Sequence, residues 1–150
     1  MNGSRSLTWI LGALVLVGLS VVARTVIGAG RPPAGPVEPV WDREACAFCA
    51  MHVGERGFAC QLQSSRGDVR FFDDPGCLLE DLDATKPEIH AIYFHAHDSD
   101  RWLSREEVRF VALTPTPMGY GLAAVSADTP GSMSLEQAEE RVRARRESRR

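Results

Sequence analysis

Between Arg5 and Arg24 no side chain carries a charge, and residues 7–23 read LTWILGALVLVGLSVVA, apolar on every side of any helix they form. At 1.5 Å per residue such a helix reaches about 25–30 Å, close to the depth of a bilayer's hydrocarbon core. A buried core helix fits poorly, because the run has no polar stripe and leads into the Pro/Gly-rich strip GAGRPPAGPVEP. The segment therefore reads as a transmembrane anchor. Its competitor is a signal helix cleaved at Ala23, or at Ala29 with Gly30, although the run is longer than a usual signal core. Arg5 on one side and Arg24 with Arg31 on the other leave the orientation undecided.

With 150 residues in all, the remainder of the chain has room for one small folded unit. The chain divides into an N-terminal signal-anchor or transmembrane helix over 1–30, a Pro/Gly-rich linker over 31–41, a folded domain over 42–130 and a charged C-terminal helix and tail over 131–150. Hydrophobic (44%) and charged (25%) contents are those of globular proteins, which excludes pervasive disorder, collagen and a polytopic membrane protein. Residues 38–128 carry sixteen Asp and Glu against eight Lys and Arg, which argues against a nucleic-acid partner.

Periodicity then sets the fold class. FACQLQS alternates as a strand, SSRGD turns, and DVRFF returns as its partner. In DDPGCLLEDLDA, Asp74 is placed as a helix N-cap and Pro75 at the first helical position. IHAIYFH is a further strand, Ser104 with Glu107 opens a short turn or helix, and VRFVAL and YGLAAVSA are strands around TPTPMG. A last helix starts after Ser134, with Leu135, Ala138 and Val142 as a thin apolar stripe. The expectation is an α+β fold of two small ββαβ-like modules, the second short of a closing strand, after the N-terminal transmembrane or signal helix. Beyond Val142, where Arg143, Arg145, Arg146, Arg149 and Arg150 follow Arg141, the expectation is a solvated, fraying tail whose removal leaves metal affinity unchanged.

The chemistry concentrates in CAFCAMH. Cys46, Cys49, Met51 and His52 offer two thiols, a thioether and an imidazole within seven residues. Thiolate and thioether donors suit Cu(I), whereas zinc sites do not normally use methionine. On an extended segment Cys49 and Met51 would project to one side and pinch a single ion. Three other readings stay open: a redox-active C-x-x-C pair, a structural zinc site completed by Cys60 or Cys77, and a structural disulfide. A C-x-x-C-H haem attachment is excluded, since Ala50 stands where histidine is required. Cys60 and Cys77 read as small buried hydrophobes or disulfide halves. His90, His95 and His97 read as surface or satisfied core residues, and Asp73 and Asp74 as helix-capping charges. No nucleophile triad, phosphate loop or nucleotide fingerprint is present, so an enzyme is not expected.

The series CAFCAMHV, FFDDPGCLLEDL, RWLSREEVRFVAL and TPMGYGLAAV, in that order over residues 42–125, resembles the NosL family, copper-binding accessory proteins of nitrous oxide reductase maturation. The resemblance implies a membrane-attached, periplasmic Cu(I) metallochaperone that passes copper to the reductase assembly machinery. It also implies that Cys49 and Met51 occupy the copper-binding C-x-M positions, that Cys46 is the motif's first cysteine, and that Met118 supplies a ligand from the second module. The chain departs from the family's lipoproteins, because no cysteine precedes Cys46 and the apolar helix takes over anchoring. It departs again at Ala50, where glycine is usual, and at EERVRARRESRR, where a closing strand is usual. The alternative function is a membrane-tethered thiol-disulfide oxidoreductase using Cys46 and Cys49.

Overall fold

A computed structural model describes residues 14–20, 22 and 30–149. The chain forms two compact units, Met1–Arg31 and Pro32–Arg150. In the first, residues 14–20 and 22 are helical with exposed side chains. No helix among the described residues is long and apolar enough to cross a membrane. The expected anchor or signal helix, and both expected cleavage points, fall largely outside the described residues.

The second unit is α+β. Its strands are β1 (Cys60–Ser64), β2 (Val69–Phe72), β3 (Ile89–His95), β4 (Trp102–Ser104), β5 (Val108–Ala112) and β6 (Leu122–Ser126). Its helices are α1 (Pro75–Thr85), between β2 and β3, and α2 (Leu135–Ser148), after β6. A four-stranded antiparallel sheet has the order β2-β1-β3-β4, and β5 pairs with β6 in a separate two-stranded sheet.

Local chemistry explains most of these elements. Asp74 accepts from the Gly76 amide with its side chain, and Pro75 follows where a missing N–H costs nothing, so α1 starts there. Ser134 and Gln137 close a capping box at the start of α2. Ser104 with Glu107 makes a similar bond, Glu107 accepting from the Ser104 amide at 2.9 Å. It closes a turn there and no helix follows, because the next residues alternate into β5.

Phe94 of the first sheet and Phe110 of the second meet edge-to-face at 5.2 Å, so the two sheets share one core with Leu62, Leu78, Leu103 and Leu122. β1 is buried on both faces. On one of them Gln61 exchanges two hydrogen bonds with the backbone of Val37, and Gln63 donates to the Gly35 carbonyl at 2.8 Å. The expected linker is thus pinned to the sheet over these residues by glutamines that mimic a neighbouring strand.

The tail beyond Val142 differs from expectation. The helix continues to Ser148, Arg145 donates to the carbonyls of Met118 and Gly119, and Arg146 pairs with Glu80 and Asp83. These arginines find fixed acceptors on α1 and on the loop before β6, which holds the last two turns in place.

Gly76, in the first turn of α1, lies directly beneath the Tyr120 ring, and a Cβ there would overlap it. Gly76→Ala is therefore expected to destabilise the domain by about 1–3 kcal/mol through overpacking, read as a lowered urea midpoint at unchanged slope.

Candidate metal centre

CAFCAM folds as a closed turn, not as the extended segment expected. The Ala50 amide donates to the Cys46 carbonyl (2.9 Å) and the Cys46 amide to the Met51 carbonyl (2.7 Å), while Ala45 and His52 form a β-bridge. Ala50 takes a φ of 62°, the left-handed region in which glycine has no steric penalty and alanine loses about 1–2 kcal/mol. The Ala47 amide donates to the Phe71 carbonyl at 2.8 Å, docking the turn on the end of β2. Asp73 follows β2 at once, and Cys77 sits in the first turn of α1.

The consequence is a cluster. Single ligating atoms of Cys46, Cys49, Asp73 and Cys77 all lie within 4.8 Å of one another. Cys46, Asp73 and Cys77 are buried, and Cys49 is half-buried at the edge. Cys49 donates to Asp73 Oδ1 at 3.3 Å. All four cysteines of the chain are free thiols.

Three thiols and a carboxylate in one buried corner cannot all be charged without a cation. The Cys77 thiol beside it, as a hydrogen-bond donor, holds Cys46 down at about 6 against the opposing effect of burial. The same bond, with burial, pushes Cys77 up. Burial pushes Cys49 up to about 11, and Cys60 also up. A soft cation entering this set would replace the protons of Cys49 and Cys77 and bring charge compensation to the corner.

Of the residues singled out by sequence, the structure brings Cys46 and Cys49 together. Met51 is on the same turn but 58% exposed, and His52 is exposed. Met118 lies on the loop before β6, packs against the core that includes Cys46 and Cys77, and donates its amide to Asp74 Oδ2 at 3.0 Å. Asp73 and Cys77 enter the cluster although the motif alone does not single them out as ligands. Cys77 is fully buried, as expected, and its thiol also stands in the cluster, while of the two aspartates Asp74 is the one that caps the helix. Their spacing could have shown it: a residue just before an N-cap and one four positions on face the same end of a helix. Cys60 does read as expected, fully buried with its thiol directed to the Phe58 carbonyl. His95 is a satisfied core residue, its ring nitrogens bonded to the Ala96 carbonyl and to Asp100, while His90 and His97 are exposed.

No family model matches the chain, and no curated protein matches its sequence. Its fold is similar to that in the crystal structure of the copper chaperone NosL from Shewanella denitrificans, with a TM-score of 0.55 and 16% identity over 75% of this chain and 89% of that one.

In the metal-free protein, absorbance near 240 nm should report one thiolate appearing with a midpoint near pH 6, and Cys46→Ser should remove it. Because the folded value lies below the ordinary 9, the folded state releases a proton there that the unfolded chain keeps, so the thiolate's stabilisation grows as pH rises from 6 to 9. The Tm difference between wild type and Cys46→Ser should widen over that interval and become independent of pH on acidification below it. A midpoint unchanged by Cys46→Ser would assign the thiolate to another cysteine.

Proposed function

We propose that this chain is a Cu(I) metallochaperone, held at the membrane by residues 7–23 with its acidic domain on the extracytoplasmic side. Its recipient is the assembly machinery of nitrous oxide reductase. The observation that carries the reading is the buried cluster of Cys46, Cys49, Cys77 and Asp73. Thiolates are the donors that soft Cu(I) selects, and the thioethers of Met51 and Met118 lie on the adjoining turn and loop. The fold likeness to a copper chaperone supports the same cargo. The recipient and the compartment rest on the motif resemblance and on the charge-free run.

The layout suits a carrier. Cys46 and Cys77 hold the ion from inside, while Cys49 and the exposed Met51 stand at the edge where another protein's sulfur can reach it. Copper leaves by ligand replacement: an incoming thiolate or thioether bonds to the ion as Cys49 lets go. A thiol-disulfide oxidoreductase needs its most ionised cysteine outermost. Here the order is reversed: the buried Cys46 is the cysteine pushed down, by Cys77, and burial pushes the more exposed Cys49 up.

The fully reduced domain should take up one equivalent of Cu(I) in competition with a chromophoric chelator. Cys46→Ser, Cys49→Ser and Cys77→Ser should each weaken it by about 100-fold or more, and Met51→Ala should weaken Cu(I) binding while sparing Zn(II). Wild-type affinity in Cys77→Ser would move the site away from the cluster. Equal losses for both metals in Met51→Ala would mean that Met51 acts through packing.

A further inference from the structure

The loop carrying Met118 is fastened at both ends of a chain of contacts that begins on α2. Arg145 donates to the carbonyls of Met118 and Gly119, and its guanidinium lies 4.5 Å from the centre of the Tyr120 ring. Tyr120 in turn packs on Gly76 in the first turn of α1. On its other side the loop gives the Met118 amide to Asp74 Oδ2, while Asp74 Oδ1 accepts from Gly76. Asp74 stands between Asp73 and the helix that bears Cys77, so whatever fixes this loop also fixes two of the four groups in the cluster.

We propose that Arg145 is a positioning residue for the metal centre, acting from α2 through the Met118 loop to hold Asp73 and Cys77 in register with Cys46 and Cys49. It touches none of Cys46, Cys49, Asp73 and Cys77, and its effect is exerted through the Met118 backbone, Asp74 and the Tyr120 ring. Its neighbour Arg146 binds α1 at Glu80 and Asp83, away from the helix start, and so stabilises the same packing without bearing on the cluster. Arginine is needed for the task, because a planar fork reaches two successive carbonyls and stacks on a ring, which the point charge of lysine does not do.

The inference rests on the copper reading for its affinity readout and stands on amide exchange without it. In full-length reduced protein, Arg145→Ala is expected to lower Cu(I) affinity about tenfold, Arg145→Lys less, and Arg146→Ala under about twofold. On a Cys77→Ser background the loss from Arg145→Ala should shrink, since one of the two groups it positions is already gone. Metal-free hydrogen exchange should quicken at the Met118 and Gly119 amides in Arg145→Ala and stay unchanged there in Arg146→Ala. Equal affinity losses in the two arginine variants, or the same loss with and without Cys77, would make Arg145 a general stabiliser and overturn the proposal. If wild type bound no Cu(I), the copper reading would fall, and unchanged exchange at Met118 in Arg145→Ala would overturn the positioning role by itself.

Discussion

Asp74 is fully buried, and both of its carboxylate oxygens are committed. Oδ1 caps the first turn of α1 through the Gly76 amide, and Oδ2 receives the Met118 amide from the loop before β6. Burial pushes its carboxyl up, and these amides work against that shift. A buried acceptor of this kind is costly unless every lone pair is met, which makes the two bonds mutually dependent. One side chain thereby ties the helix of the first sheet to the loop of the second and sets where its neighbours Asp73 and Cys77 stand.

Around that anchor stand four groups that could hold a metal ion. Four potential anions share a corner, and Cys77 pushes the Cys46 thiol down. Keeping Cys49 and Cys77 protonated avoids crowding like charges in a low-dielectric corner, and it leaves protons for an incoming metal to displace. Cys49 is half-buried at the edge of the cluster, while Cys46, Asp73 and Cys77 are buried behind it.

Most of the fold was legible because its signals are local. Asp74 with Pro75 announced α1, the Ser134 capping box announced α2, and the strand IHAIYFH was bounded correctly at Ile89 and His95. The short β4 escaped because three residues carry no readable period, and its terminal Ser104 resembles a helix cap. In the site, Cys46 and Cys49 could be found from their spacing. Cys77 and Asp73 join them through tertiary contacts, the docking of Ala47 on β2 and the capping of α1, which no window over CAFCAMH contains. The same limit hid the role of α2, whose arginines look like a solvated run until Glu80, Asp83 and the Met118 loop are placed opposite them.

The proposal that Cys46, Cys49 and Cys77 together hold one Cu(I) is open to X-ray absorption at the copper edge without any recipient protein. On the singly loaded domain, the account predicts a coordination sphere dominated by sulfur, with one sulfur fewer in Cys77→Ser. A sphere of nitrogen and oxygen, or a sulfur count that does not change when Cys77 is replaced, would contradict it.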